Sequence, residues 1–560
     1  MRIGRRFTYP LLLTAAIACT FPLWFGEWFQ SHEGQNYPIR AAEVASEIRR
    51  TWFYPSWAPD FHGGYGSPFF IFYAPLAFLI AGYLGAFVMT PTAGLKVVVT
   101  FAACAAAIGV YECIRNFTDK DEAAILASVL FLFAPYRIQD LTVRGDIAEQ
   151  LALGLLPVAL AFYQRAFQEL SRSRLVLWGV LATLAHAGVL LAHTLTGIWG
   201  TGLIAVLFAM QARRRWFWRT TQFTVGSAAF ATSFGVAAFY LLPALFEKGQ
   251  VSTHVMTWGA FDPVNNWTPM KALVTGDLFG DIRMAFLCSL ALILVTYLRE
   301  ARGLRDAWGW FAVACVLVFL VLPVASPVWA SGCLPFGRYI QFPWRLLGHA
   351  SLAFSLAAGI AAARLPFGYR AESVVWIAAA MAALWGGAHL AMTPDVAMNP
   401  GPAEIRRLNT ETTYLNEYLP QGATATELRT GLIAEAPPMV IHGAGGFGTM
   451  QRLKFTAVKP AIIVLSLYDY PGWTIVRQAG PAQVALGSTA AKLVTLTVTQ
   501  PGDYTVQLDF DAGPLRLFGL LVTILSLLML WPLLHQLAHQ ENLLARIGRR
   551  RILASDRRNG

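Results

Sequence analysis

The chain is short of charge and of sulfur. Only 13% of its 560 residues are charged and six are cysteine, against 56% hydrophobic. Charge that scarce excludes an ordinary soluble domain, in which about a quarter of residues are Asp, Glu, Lys or Arg. Five cysteines (Cys19, Cys104, Cys113, Cys288, Cys315) sit in or beside apolar runs and Cys333 stands in a loop. No disulfide framework and no cysteine-based metal site is therefore legible. A phosphate-binding glycine loop, a dinucleotide fingerprint and a His-x-x-x-His pair are also missing, which argues against a bound nucleotide and against a metal. No cofactor is expected. The single Asp-x-Asp, Asp509 and Asp511, falls just before the last apolar run, and the chain carries no internal repeat and no low-complexity segment.

What is present is oil in long pieces. The mean hydropathy is +0.50, and roughly twelve runs between residues 8 and 536 approach the 17 to 25 residues that a bilayer demands. The first, in "MRIGRRFTYPLLLTAAIACTFPLWF", continues past any small-residue cleavage site and reads as an uncleaved span. A net charge of +11 invites a nucleic-acid partner, yet the arginines cluster in short loops between apolar runs, where they orient spans and meet anionic headgroups. Membrane lipids are the expected partner and nucleic acid is not. With Arg-rich loops inside, both termini are cytoplasmic. This bookkeeping requires that "SPFFIFYAPLAFLIAGYLGAFVMT", residues 67 to 90, does not cross, and Pro68 and Pro75 support an interfacial or re-entrant path.

The map leaves a first outer loop at 26–93 and further outer segments at 137–147, 246–283 and 324–343. In the first loop Val44, Ile48 and Trp52 recur at helical spacing opposite Glu43, Glu47 and Arg50, which predicts an amphipathic surface helix. Residues 392–512 alternate apolar and polar in "AIIVLSLYDY", "LVTLTVT" and "YTVQLDF", separated by "YPGW" and "QPGDY". That pattern predicts a small β-rich, sandwich-like outer domain between the last two spans. The expected organisation is a polytopic α-helical membrane domain at 1–391, the β-rich domain at 392–512, and a last span with a basic cytoplasmic tail at 513–560.

Three polar constellations lie at outer helix ends. "SHEGQNYPIR" places His32, Glu33 and Arg40 just past the first span; a carboxylate there, partly desolvated, is a usable proton acceptor near neutrality. "APYRIQDLTVRGDIAEQ" packs Arg137, Asp140, Arg144, Asp146 and Glu149 into one turn beside hydrocarbon. Such charges are either a self-satisfied ion network or an anion site built on bidentate arginine. "GRYIQFPWRLLGH" sets Gln341 and Arg345 at the outer end of a span, where Arg345 either snorkels to headgroups or binds an anion. His193 in "LLAHTLTG" occupies a similar helix end.

"YPSWAPDFHGGYGSPFFIFYAPL", "APYRIQDLTVRGDIAEQ", "IQFPWRLL", "NEYLP" and "YPGWTIV" resemble, in that order, the bacterial membrane family described as 6-pyruvoyl-tetrahydropterin-synthase-related. That family's layout is similar to the GT-C superfamily of glycosyltransferases, which includes oligosaccharyltransferase and the lipid A aminoarabinose transferase. The resemblance implies a GT-C-like fold and transfer of a sugar from a polyprenyl-phosphate donor to a lipid, glycan or protein acceptor at the outer face of the cytoplasmic membrane. It further implies Glu33, beside His32, as the general base, although several relatives carry Asp there. Arg144, Arg345 and Arg137 are the expected donor-phosphate ligands, with Arg40, Asp60, Tyr65, Asp146, Glu149, His193 and Gln341 as further site candidates. A lipid or lipid-linked-saccharide transporter is the rival reading, and a non-catalytic membrane scaffold the third.

Overall fold

The computed structural model describes residues 5–213, 217–271, 290–291, 293–294, 296–297, 304–334, 337–365, 400–408, 416–424, 431–437, 439–511 and 513–539. Among them seven helices are long and apolar enough to cross a membrane, or nine if two bent pairs each count as one span. The bent pairs are Thr221–Val236 with Ala238–Phe246, at 64°, and Arg305–Leu320 with Pro323–Ala330, at 88°. The expectation of twelve is thus not reached among the described residues. The expected run at 373–391 lies outside them, and that at 284–298 mostly so.

Small side chains let the central helices approach closely, which is how helices associate where hydrocarbon surrounds them. Helix Pro91–Phe117 packs against Ile147–Gln168, and a Cβ on Gly154 would stand 2.4 Å from the Ala102 carbonyl oxygen. Residues 67–90 break at Pro75 into Phe69–Phe72 and Leu76–Phe87. The longer piece has 12 residues, about 18 Å of helix against the 30 Å of a hydrocarbon core, so it is too short to cross.

The β-rich region is two four-stranded antiparallel sheets. One has the order β1-β4-β7-β6, formed by Ile433–Glu435, Ala461–Tyr468, Leu493–Val498 and Ala485–Ser488. The other has the order β2-β3-β8-β5, formed by Met439–Phe447, Met450–Ala457, Gly502–Phe510 and Trp473–Ala479. The period-two alternation does what it promised: Leu453 pairs with Val506 and Phe455 with Tyr504, all four buried between the sheets.

This sandwich does not own its whole core. Trp57, Tyr65, Ile71 and Phe72 of the first loop and Val251 bury themselves with the strand residues. Trp57 lies 4.9 Å from Phe510 and 5.5 Å from Trp473, ring centre to ring centre. The backbone N–H of Tyr468 donates to the Tyr65 carbonyl at 3.0 Å. The docking also corrects the predicted surface helix. Helix Asn36–Thr51 forms, but its acidic side is buried as thoroughly as its apolar side, with Glu43 and Glu47 no more than 1% exposed. Glu43 accepts the backbone N–H of Asp60 at 2.9 Å, Glu47 pairs with Arg50 at 2.5 Å, and Asp60 pairs with Arg406 at 2.5 Å. Only its C-terminal end, Arg49 to Thr51 and then Trp52 in the left-handed region at φ 64°, is exposed as expected of a surface helix.

Candidate active site

The floor of the site is made by one turn. Residues Asp140–Arg144 wind wide, so that the Gly145 N–H donates to the Asp140 carbonyl at 2.9 Å; widened turns of this kind interrupt α-helices and re-aim side chains. Gly145 then takes φ +71°, and a Cβ there would meet the Ser31 Oγ at 2.1 Å, so glycine is required both by conformation and by space. The close approach lets the 31–34 loop bond to the turn: His32 N–H to Val143 O at 2.9 Å and Glu33 N–H to Arg144 O at 2.7 Å. Asp146 follows as the N-cap of helix Ile147–Gln168, accepting the Glu149 N–H at 2.9 Å.

Above this floor opens a cavity of about 590 Å³. Glu33, Arg40, Asp146, His193, Gln341 and Arg345 all line it, drawn from four separate stretches of sequence. Its other side is apolar. Leu195, Ile198, Gly202 and Ala205 of helix Thr194–Ala212 line it at spacings of three and four, together with Phe234, Leu241 and Leu245 of the bent pair. Ten residues of helix correspond to about 15 Å, so the cavity runs from a charged mouth down along a spanning helix.

Arg144 is spent within the floor. Its guanidinium pairs with Asp140, with Asp146 at 2.9 Å and with Glu149 at 2.8 Å, and lies 4.7 Å from the Trp344 ring centre. It does not line the cavity among the described residues. Asp146 is further bonded by the Tyr37 hydroxyl at 2.8 Å and Glu149 by the Tyr136 hydroxyl at 2.6 Å. Arg137 is elsewhere: it faces a separate cavity of about 30 Å³ beside Cys19 and Thr20, with its guanidinium 4.8 Å from the Phe131 ring centre. Of the three arginines expected at a phosphate, the cavity receives Arg345 alone. Arg345 stands 3.9 Å from Glu149, and its Nε has no hydrogen-bond partner.

Glu33 is the contrasting carboxylate. No hydrogen bond or ion pair engages its side chain among the described residues, and it faces the cavity. Burial, and then the Asp146 carboxylate nearby, raise its pKa above the ordinary carboxylate range; Arg144, Arg40 and Arg345 act the other way. Asp146 shifts oppositely, for although burial resists ionisation, His193, Arg144 and Arg345 outweigh it and hold the acid below its usual range. Two carboxylates of one site are thereby pushed apart, which is how one pocket holds an acid and a base.

The remaining sequence candidates divide. His32 is exposed and does not line the cavity, Asp60 is buried against Glu43 and Arg406, Tyr65 belongs to the sandwich core, and Glu149 pairs with Arg144 without lining the cavity. Sequence reasoning missed Lys248, Tyr339 and Tyr418, all lining the cavity, with the Lys248 ammonium 5.2 Å from the Tyr339 ring centre. The one signal for Lys248 is a lone cation just after an apolar run interrupted by proline, Ala238–Phe246. Asp146, Glu149 and His193 each bring a possible ligand atom within 4.8 Å of the others, a spacing that a metal ion also favours.

The fold and site define a polytopic membrane protein with a β sandwich docked on its first loop and a charged cavity at its helix ends. The chain belongs to the family described as the 6-pyruvoyl-tetrahydropterin-synthase-related domain of membrane proteins, whose profile matches residues 70–387. No curated protein matches it. Among solved structures it is similar to the arabinofuranosyltransferase AftD from mycobacteria, at 17% identity and a TM-score of 0.47, over 70% of this chain and 27% of that one. An oligosaccharyltransferase from Archaeoglobus fulgidus gives 14% identity and 0.41, over 71% and 56%. ArnT from Cupriavidus metallidurans, bound to undecaprenyl phosphate, gives 12% and 0.31, over 64% and 78%. The chain spans about a quarter of the length of AftD and little over half of the oligosaccharyltransferase. Likeness at this level assigns no activity.

Proposed function

We propose that the protein is a GT-C-type glycosyltransferase that moves a sugar from a polyprenyl-phosphate donor to a hydroxyl acceptor at the outer face of a bacterial cytoplasmic membrane. The observation that carries the reading is a cavity that joins a charged mouth to an apolar flank about 15 Å long on a spanning helix. A lipid with an anionic head and a hydrocarbon tail matches both ends. Sidedness supports it as well. Asp146, His193 and Arg345 sit at one end of helices Ile147–Gln168, Arg172–Ala192, Thr194–Ala212 and Leu346–Ala362, while Arg165, Arg172, Arg213 and Arg364 sit at or near the other. An arginine-rich side is the cytoplasmic one, which faces the cavity outward.

In this mechanism Glu33 accepts the proton of the acceptor hydroxyl as that oxygen attacks the anomeric carbon. The bond from that carbon to the phosphate oxygen breaks, and the electron pair leaves with the polyprenyl phosphate. Arg345, with Arg40 and Lys248 lining the same cavity, neutralises the departing charge. Asp146 and Glu149 stay ionised and hold Arg144, which fixes the turn to which the loop carrying Glu33 is bonded. The sugar and the acceptor are left open. The test is turnover of purified protein with a polyprenyl-phosphate sugar: Glu33→Gln keeps the shape but removes the base, so the rate falls by about 10² or more while donor binding persists. Transfer by Glu33→Gln at the parental rate would falsify the base assignment.

A further inference from the structure

His193 is an unusual N-cap. It begins helix Thr194–Ala212, and its Nδ1 accepts the backbone N–H of Thr196 at 3.3 Å, with the Thr196 hydroxyl also 2.8 Å away. A backbone N–H can only donate, so Nδ1 must present its lone pair. In the neutral ring the proton then resides on Nε2. That atom is 3.9 Å from the Asp146 Oδ2, beyond hydrogen-bonding range, and the residue lines the same cavity as Glu33. Burial lowers the pKa of the ring, with Asp146 and Glu149 pulling the other way.

The same tautomer bears on the group of Asp146, Glu149 and His193. A metal ligand offers a lone pair, whereas Nε2 here offers a proton, and the lone pair at Nδ1 is already engaged by the helix. The two carboxylates, for their part, are already neutralised by Arg144 at 2.9 and 2.8 Å. Their proximity to His193 needs no ion to explain it.

We propose that His193 is an anion-holding residue: its Nε2–H, fixed by the helix cap, donates to a phosphate oxygen of the lipid donor and of the departing lipid phosphate, without a metal at Asp146, Glu149 and His193. The proposal rests on the polyprenyl-phosphate reading and names the residue that reading lacks. No proton is transferred by His193. Its hydrogen bond strengthens as charge builds on the phosphate, while Glu33 keeps the acceptor's proton.

The experiment uses the full-length protein in detergent or nanodiscs, with undecaprenyl phosphate and Mn²⁺ as separate probes. Asparagine is among the best N-caps but places no donor at the Nε2 position, whereas glutamine reaches that position with an amide N–H. His193→Asn should therefore melt as the parent does yet bind undecaprenyl phosphate about 10-fold more weakly, as expected for the loss of one hydrogen bond to a charged group. His193→Gln should recover most of that loss, and the parent should take up no Mn²⁺ that His193→Asn fails to take up. Parental lipid binding by His193→Asn would overturn the donor role, and Mn²⁺ bound by the parent but lost in His193→Asn would make the residue a metal ligand instead. A well-folded parent that binds no undecaprenyl phosphate would sink the polyprenyl reading, and His193's role with it, a result distinct from either of the others.

Discussion

Arg144→Met tests whether the 134–150 cluster is a support or a binding site. The substitution keeps an unbranched stem but removes the charge that three carboxylates share, two of them at 2.9 and 2.8 Å and all of them buried. Removing one partner of a buried ion pair costs about 3 to 5 kcal/mol, because the charge left behind stays desolvated. Whole-protein stabilities are commonly 5 to 15 kcal/mol, so the loss is a large share of the total. At 1.4 kcal/mol per factor of ten, about two to three and a half powers of ten in the folded-to-unfolded ratio disappear. Arg144→Lys keeps the charge but cannot reach all three acids from one ammonium while lying flat over Trp344, which is 4.7 Å away; it should fall between the parent and Arg144→Met. The assay is thermal unfolding of the detergent-solubilised full-length protein, followed by size-exclusion chromatography after heating. Both variants should melt earlier, in the order Met before Lys, with less folded protein recovered. A monodisperse Arg144→Met protein with the parental melting temperature and no affinity for lipid phosphate would refute the reasoning and return Arg144 to the ligand.

Two further outcomes concern the docked sandwich. Burial raises Glu47 from its ordinary 4.5 to about 7, with Arg50 opposing and Asp60 adding to the rise. The folded state thus favours the neutral acid, so this contribution to stability is complete below about pH 4.5 and lost as pH rises through about 7. Melting curves across that window should show a decline that is flatter in Glu47→Gln, and an unchanged slope would remove Glu47 as its cause. Trp57→Ala empties a fully buried site between the first loop and strand residues Trp473 and Phe510; at about 3 to 5 kcal/mol for such a truncation, limited proteolysis should release the sandwich far faster than in the parent. Equal cleavage rates would mean that the sandwich is secured by other contacts.

Much of the architecture was legible because it rests on local pattern. Apolar runs mark helices, Pro75 breaks the 67–90 stretch, and the alternation in "AIIVLSLYDY", "LVTLTVT" and "YTVQLDF" finds strands of both sheets. These signals survive in sequence because each residue's solvent is set by its nearest neighbours along one element. The surface-helix reading failed for the same reason. Periodicity finds helix Asn36–Thr51 but does not reveal that Asp60 packs on Glu43 and that the turn at Gly448, about 400 positions later, packs on Glu47.

The tertiary structure decided the site. Glu33, Asp146, His193 and Arg345 lie far apart in sequence, and their presence at one cavity depends on the 31–34 loop bonding to the turn after Asp140. It also decided which cations are available: Arg144 is consumed by three acids, Arg137 faces another cavity, and Arg345 reaches the mouth. Sequence could name these arginines as candidates but not rank them, since the worth of a charge depends on how close its partners come and how little water lies between, and both are set only when distant segments pack.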